Sequence, residues 1–599
     1  MKHQEKIAVL DFGGQYAHLI ANRIRRLGVY SEIMDPESAT ESLSEFSGII
    51  FSGGPHSVYE KNAPLFNKKI LEMGKPILGI CYGHQLVSHV LGGEVKPGKV
   101  REFGRAEITI ADSPIFIGIS QKNIAWMSHG DSVSNLPVGF KSIAATADCP
   151  VAAVENPEKK IYGFQFHPEV THSEEGMKML SNFINICDCS KKWDMKSYVD
   201  VIGNEIIKKV GDRNVFLLVS GGVDSVVAFA LLNKILTDKR VLGLHIDNGL
   251  MRKNETASVM AYMKKHNFHN LRVVDATEKF LIRLDSVHEP EKKRKIIGDT
   301  FIDVQKEALE NLNLDPMNWV LGQGTIYPDT IESGSTKHAA IIKTHHNRVP
   351  IIEQMIKDGR VIEPLAELYK DEVRDLGREL GLPEDLIERH PFPGPGLGVR
   401  LLCSDGILPP LSNDDSAKAL AIADDAGYKA TVLPIRSVGV QGDFRTYAQP
   451  LAVEGELDWD KLSTLSTNLT NSVRAINRVV LLLKKRNSNK PELFKAYTTS
   501  NRLEILREAD AIVTDFLHTE KLYGAIWQMP VVLLPIGNGT EQNSLVLRPV
   551  SSSEAMTADF FKIPEAALES LAEKLIAIPG LSAIMYDLTN KPPATIEWE

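Results

Sequence analysis

The sequence predicts an α/β protein. A first unit has a central, mostly parallel sheet, a second has a doubly wound parallel sheet, and an α+β C-terminal region holds two related subdomains. Three observations predict this. Over residues 6–190, and again over 214–325, short apolar runs ending in small or acidic residues alternate with helical patterns, which argues for parallel strands between helical layers. PFPGPGLG at 391–398 is a break that no helix crosses. Beyond it, ATVLPI at 430–435 recurs as VVLLPI at 531–536, and RAINRVVLLL at 474–483 resembles PGLSAIMYDL at 579–588, the mark of an internal duplication.

At 599 residues the chain is too long for one hydrophobic core. The expected units are 1–190, 200–400 and 401–599, the last divided into about 401–500 and 501–599. A formal charge of −9 argues against a general nucleic-acid binder. No stretch reaches about 18 consecutive apolar residues, and MKHQEKIAVLDFGG runs straight into a strand, so no membrane partner and a cytoplasmic location are expected. The cysteines, at 81, 149, 187, 189 and 403, are odd in number and scattered, which is not a disulfide framework. Cys187 and Cys189 read as reduced thiols at a helix end.

In the first unit, KIAVLDFGG is a strand ending in a glycine turn. GIIFSGGP (48–55), PILGIC (76–81) and IYGFQFHPE (161–169) follow as further strands. DCSKKWDMKSYVD, around 188–200, reads as a linker. NVFLLVSGG (214–222), VLGLHIDNG (241–249), LRVVDAT (271–277) and WVLGQGT (319–325) are the strands of the second unit. Open sheets of this kind bind ligands at the C-terminal ends of their strands.

The first candidate site is GICYGHQ at 79–85. A strand, then G-x-C-x-G, then an apolar helix has the logic of a nucleophile elbow. The glycines permit a sharp turn, Cys81 projects at the sheet edge, and the helix N-terminus favours an anionic sulfur. Gly53 and Gly54 are candidates for the oxyanion hole, together with the backbone N–H of Tyr82. His167 is the candidate base, and Glu169, two residues on, can orient its imidazole.

GGP, GICYGHQ and GFQFHPEV resemble the motifs of class I, or triad, glutamine amidotransferases over about residues 5–190. The resemblance implies that Cys81 attacks the glutamine amide, forms a glutamyl thioester and releases ammonia while His167 shuttles the proton. It also implies that Gln85 and the stretch Ser128-His129-Gly130-Asp131 hold the substrate glutamine.

The second candidate site is LLVSGGVDSVVAFALL at 217–232. Ser220, Gly221 and Gly222 let backbone N–H groups approach phosphate, Val223 opens a helix, and Ser225 can donate a further hydrogen bond. The Walker A pattern is absent. Asp224 beside a polyphosphate needs either a Mg²⁺ ion between them or a helix-capping role. SGGVDS resembles the pyrophosphate loop of N-type ATP pyrophosphatases, which implies cleavage of ATP between its α and β phosphates. Asp247, Gly324, Asp329, Lys343 and Lys370 join the expected ATP set. Arg252, Lys293, Arg294, Lys295 and Arg374 add cations that can neutralise phosphate charge.

SGGVDS, HIDNGLMR, KRKIIGDTF, GQGTIYPD, RHPFPGPGLG, RSVGVQGDFRTY and KPPATIEWE occur here in that order. With the N-terminal motifs, the series resembles the glutamine-hydrolysing GMP synthase family from end to end. The resemblance implies adenylylation of XMP by ATP with Mg²⁺, release of pyrophosphate, and displacement of AMP by ammonia to give GMP. It implies XMP binding by Arg294, Asp443, Gln542, Lys591 and Glu597. HHNRVP at 345–350 and the repeated C-terminal region resemble the longer form of the enzyme and leave monomer and homodimer both open. NAD and asparagine synthetase types pair such a loop with other glutaminase folds and lack KPPATIEWE. A decayed, binding-only chain is disfavoured because Cys81, His167, Glu169 and SGGVDS are all present.

Overall fold

The computed structural model describes residues 5–14, 16–170, 172–266, 268–312, 314, 316–327, 355–356, 358–408, 411–441, 444–537, 542–551 and 558–599. Asp329, Lys343, Asp443 and the HHNRVP stretch lie outside these. The chain forms two compact units, Met1–Asn204 and Glu205–Glu599.

The first unit is built on a nine-stranded sheet. Strands β1 (Lys6–Leu10), β2 (Tyr30–Met34), β3 (Gly48–Phe51), β4 (Ile77–Ile80) and, later in the chain, β9 (Ile161–Phe164) are parallel, in the order β2-β1-β3-β4-β9. Of these, β1, β3, β4 and β9 are buried throughout, as unbroken apolar strands between helical layers must be. An antiparallel extension continues the sheet through β8 (Ala153–Asn156), β7 (Lys141–Ala145), β5 (Glu94–Ile110) and β6 (Lys122–Asn135). The sequence reading does not place this extension. Residues 122–129 of β6 alternate in burial, the pattern of a strand with only one covered face. Its ladder with β5 breaks register between Pro97, opposite Asp131, and Glu102, opposite His129.

In the second unit, β10 (Asn214–Leu218), β11 (Val241–Asp247), β12 (Leu271–Asp275), β13 (Trp319–Gly322) and β14 (Val361–Ile362) form a wholly parallel sheet of order β12-β11-β10-β13-β14. The chain starts at the centre, winds one way, and returns to the other side of β10. The strand order reverses between β10 and β13, so the loops after these strands diverge and open a crevice. The loops that flank this switch point begin at Val219 after β10 and at Gln323 after β13.

The C-terminal sheet orders its strands 429–432, 444–454, 476–485, 581–587, 543–547 and 531–534, with 437–441 paired to 444–454. Its two halves share one pattern. In each, the first strand pairs antiparallel with a second, which pairs parallel with a third across a helix connection. The halves meet where Val480 faces Asp587 and Leu481 faces Tyr586 in antiparallel register. Apolar packing runs from Phe216, Leu244 and Leu321 to Leu451, Val479, Leu533 and Ile584 in one cluster, so the boundary expected at 400/401 falls inside a continuous core.

Candidate active site

The nucleophile elbow forms where β4 turns into the helix Tyr82–Val90. Cys81 has φ +50° and ψ −106°, a conformation L-residues rarely adopt and one that aims the side chain off the strand end. Strand and helix approach so closely that a Cβ on Gly79 would lie 2.6 Å from the His84 nitrogen, and one on Gly83 would lie 2.4 Å from the Phe51 oxygen. The Cys81 N–H donates to Phe164 O at 2.7 Å, which ties the elbow to β9, the strand that leads to His167.

His167 is buried, and its Nδ1 donates to Glu169 Oε1 at 2.7 Å. That bond fixes the tautomer, leaving Nε2 for the Cys81 proton. The segment is held from several sides. Arg23 Nε donates to Glu169 O at 3.0 Å, and Ser173 Oγ donates to His167 O at 2.6 Å. Burial opposes a charge on His167, but the Glu169 carboxylate and the hydrogen bond with Cys81 outweigh it and push the imidazole up to about 10. The ring is therefore basic enough to take the Cys81 proton, the step that makes the thiol a thiolate nucleophile.

Beside the sulfur lies a cavity of about 590 Å³ whose lining includes Gly54, Cys81, Tyr82, Gln85, Ser128 and Asp131. Gly53 backs onto the dyad, with a Cβ position 3.2 Å from His167 Cε1. The Asp131 carboxylate accepts from Ser57 Oγ and from Tyr59 OH (3.0 Å). Gln85 Nε2 donates to Asp131 O at 2.8 Å and to Gln165 Oε1 at 3.0 Å, and Gln165 Nε2 reaches Cys81 Sγ at 3.8 Å. The Cys81 thiol points to Ser128 O at 3.7 Å. One wall thus carries a carboxylate suited to an ammonium group, the other the nucleophile.

In the second unit the turn after β10 is a set of short polar contacts. Ser220 Oγ and Ser225 Oγ lie 3.1 Å apart, Ser225 Oγ donates to Gly222 O at 2.9 Å, and Gly222 N–H donates to Ser220 Oγ at 3.3 Å. Gly221 has φ +89°. The helix opens at Val223 with Gly222 as its N-cap, so Asp224 is not the cap. Both Asp224 oxygens instead accept from Lys370 Nζ at 2.7 Å. Gly324, from the loop after β13, abuts this helix start, its Cβ position 3.3 Å from Ser225 N. Asp247 closes its own turn, accepting from Gly249 N–H at 3.0 Å.

The residues expected at XMP are partly gathered. Arg294 donates to the backbone oxygen of Glu599, and its Nε is buried with no hydrogen-bond partner among the described residues. Glu597 accepts from Arg400 Nη2 at 3.0 Å. Lys591 pairs through its backbone with Ala558, and Gln542 is exposed. Lys293, expected among the phosphate-neutralising cations, is fully buried and donates to Glu599 and to Leu401 O (2.8 Å), so it holds the tail instead.

The family Glutamine amidotransferase class-I matches residues 8–187, and GMP synthase C terminal domain matches residues 515–598. A probable glutamine-hydrolyzing GMP synthase of Leptospira interrogans is 48% identical over 609 positions, covering 99% of each chain. Glutamine-hydrolyzing GMP synthases of Caldicellulosiruptor saccharolyticus (40% over 611 positions, 100% of each chain) and Aquifex aeolicus (39% over 609 positions, 99% of each) are similar along their whole length. The chain belongs to the glutamine-hydrolysing GMP synthase family.

Within this GMP synthase family member, four residues that line the cavity beside Cys81 or hydrogen-bond to residues that do escape a reading of the sequence. Gln165 sits inside the motif that carries His167, where its position before Phe166 gives the only signal. Ser57 and Tyr59 follow the Gly53-Gly54 loop with no pattern of their own. Glu102 reaches His129 only through the register of β5 on β6, which no local motif encodes.

Proposed function

We infer that this chain carries out the reaction of its family, the glutamine-dependent conversion of XMP to GMP with ATP. The observation that carries the glutaminase half is the buried Cys81–His167–Glu169 constellation at the mouth of a polar cavity. Cys81 sulfur attacks the side-chain amide carbon of glutamine, and the N–H groups near Gly54 and Tyr82 receive the developing oxyanion. The His167 imidazolium gives its proton to the departing nitrogen, and ammonia leaves. A water then cleaves the thioester with His167 as base, and Glu169 keeps the ring in one orientation throughout.

The synthetase half belongs to the crevice between the loops after β10 and β13. Ser220 to Ser225 cradle the β and γ phosphates, with Asp247 and Gly324 at the nucleotide's other groups and Lys370 as a counter-charge. An amide-like carbonyl resists ammonia, so adenylylation of the XMP C2 oxygen supplies a leaving group. Arg294, with a buried nitrogen to spare, suits the XMP phosphate, and Glu597 suits hydroxyl or base N–H groups. Asp224 offers carboxylate oxygens of the kind Mg²⁺ takes, although both now accept from Lys370; where it holds the ion, the ion would neutralise phosphate charge. The domain order proposed is amidotransferase, ATP pyrophosphatase, then a duplicated C-terminal region, in a cytoplasmic enzyme.

The test is a product assay with Mg²⁺–ATP and XMP. GMP and AMP from both glutamine and ammonium are expected in wild type. In Cys81→Ala only ammonium should support GMP. Loss of ammonium-dependent synthesis in a folded Cys81→Ala protein would falsify the two-site reading.

A further inference from the structure

Glu102 and His129 face each other across the β5–β6 ladder, immediately beside the register break that sets off the Ser128–Asp131 segment. His129 Nδ1 lies 3.0 Å from Asp131 O. A carbonyl only accepts, so Nδ1 must carry hydrogen. His129 Nε2 then meets Glu102 Oε2 at 3.1 Å, while Glu102 Oε1 accepts from Thr146 Oγ1 at 2.8 Å. A neutral ring with hydrogen on Nδ1 presents a lone pair to that carboxylate. One proton held between Nε2 and Oε2, on either atom, satisfies both groups.

Two titratable groups beside the pair are neutral and do not compete for that proton. Cys149 Sγ lies within 4.8 Å of the other two, but burial, with Glu102 adding, pushes its thiol up to about 12, so it stays neutral. His84, on the nucleophile helix, is fully buried and pushed down to about 3 by burial, with the charge of His129 adding to it, so it is neutral too. Burial, with the charge of His167, lowers His129; Glu102 and the hydrogen bond with Asp131 O oppose them without reversing that direction. The imidazole is 6% exposed, and its ring orientation is set by Glu102 on one side and Asp131 on the other.

What the ring holds is the wall of the glutamine cavity. Asp131 O takes both His129 Nδ1 and Gln85 Nε2, and the Asp131 carboxylate faces Ser57 and Tyr59. Ser128 O, one residue before the imidazole, receives the Cys81 thiol. A rotation of His129 therefore moves the carboxylate wall and the acceptor beside the nucleophile together. We propose that Glu102 is a positioning residue for glutamine, acting through His129 to lock the Ser128–Asp131 segment against Gln85 and Cys81. This rests on the reading of the Cys81 cavity as the glutaminase site.

The test compares Glu102→Ala, Glu102→Gln, His129→Ala and the Glu102→Ala/His129→Ala double variant in full-length protein. Glutamine- and ammonium-dependent GMP formation are both measured. Glu102→Ala should raise the KM for glutamine about tenfold, the loss of one buried charge-assisted hydrogen bond, with a smaller fall in kcat. Glu102→Gln should stay near wild type, because its amide can donate to Nε2 and still accept from Thr146. The double variant should be no worse than His129→Ala, since Glu102 acts only through the ring. Ammonium-dependent synthesis should not change in any of them.

An unchanged KM in Glu102→Ala, effects that add in the double variant, or a Glu102→Gln as impaired as Glu102→Ala would each overturn the proposal. So would stoichiometric metal in the wild type whose removal by EDTA raises the KM as Glu102→Ala does, because a cation would then sit where the proton is placed. Cys81→Ala separates this from the underlying reading. If that variant still uses glutamine, the glutaminase assignment fails. If it does not, and Glu102→Ala is normal, only the role of Glu102 fails.

Discussion

Lys370 Nζ lies 2.7 Å from both carboxylate oxygens of Asp224, at the first turn of the helix that follows the Ser220–Gly222 turn. The lysine comes from the start of a separate helix, Lys370–Glu379, so the pair joins two segments of the second unit. Both side chains are partly exposed, at 42% and 30%, so the ion pair itself adds little stability. In the proposed reading its importance is electrostatic: it sets a cation beside the loop proposed to hold the ATP phosphates.

Lys370→Gln should therefore raise the KM for ATP, about tenfold, in both glutamine- and ammonium-dependent synthesis, and leave thermal stability almost unchanged. Asp224→Asn should lower kcat/KM for ATP with either nitrogen source and shift the Mg²⁺ dependence to higher concentration. Normal ATP turnover in Asp224→Asn would show that the carboxylate serves only to hold the lysine.

The His167 imidazole is raised from 6.5 to about 10, with Glu169 and Cys81 overcoming the opposing effect of burial. The folded state therefore binds this proton more tightly than the unfolded chain does. The stabilisation is complete below about 6.5 and is lost as the pH rises through about 10. Glu169→Gln removes the main charge responsible. The melting temperature of the first unit, followed from pH 6 to pH 10 on roughly the scale of that shift, should fall more steeply with pH in wild type than in Glu169→Gln. Glutaminase kcat in the variant should drop by at least about tenfold, because the ring loses its orienting partner.

Strands β1, β3, β4 and β9 were legible because they are buried on both faces and so read as unbroken apolar runs, as KIAVL and GIIF do. The edge strand β2 and the two-residue β14 were not, and β12, expected to be buried, is mostly exposed. The turn at Cys81 and the turn at Ser220–Gly222 were legible because each is local: glycines and helix start lie within a few residues. The antiparallel β5–β8 extension was not. Its strands mix polar and apolar residues on one-sided faces, and β5 carries a break in register. Contacts made by register, such as Glu102 with His129, or by distant helices, such as Lys370 with Asp224, depend on the assembled sheet and leave no mark in any short stretch. The likeness of the two C-terminal halves was visible in sequence because their paired apolar strands keep one pattern. Their antiparallel junction at Val480 and Asp587 was not.

The loop around Gly54 offers a steric test of the glutaminase site. A Cβ there would lie 2.9 Å from Phe12 O and 3.2 Å from the Tyr82 ring, so backbone must shift to admit it. Gly54→Ala should reduce glutaminase kcat by about tenfold or more, the scale of losing an oxyanion-hole donor. Ammonium-dependent synthesis should be untouched. Equal loss of both activities would point to misfolding of the chain instead.

The C-terminal tail is secured by a buried charge cluster whose removal has a directional outcome. Asp587 Oδ2 accepts from Arg478 Nη1 (2.9 Å) and Trp598 Nε1 (2.9 Å) and lies 3.0 Å from Arg548 Nη1, while its Oδ1 accepts from Thr589 N–H at 3.0 Å. All of these side chains are buried, and the Arg478 guanidinium also covers the Trp598 ring at 4.9 Å. Burial alone would raise the Asp587 carboxyl, but Arg548 and Arg478 hold it below the usual range. Its contribution is thus present above about pH 3.8 and lost as the pH falls through the lower folded-state value. Asp587→Asn keeps the shape but leaves two buried guanidinium groups without their anion, which should cost about 3–5 kcal/mol, read as a lower denaturation midpoint of the second unit. Because the same tail carries Glu597 on Arg400 and Glu599 on Lys293 and Arg294, a loosened tail should also raise the KM for XMP. Glutamine hydrolysis, which belongs to the other unit, supplies the internal control, and a variant that lost stability with no change in KM for XMP would separate the tail's anchoring from XMP binding.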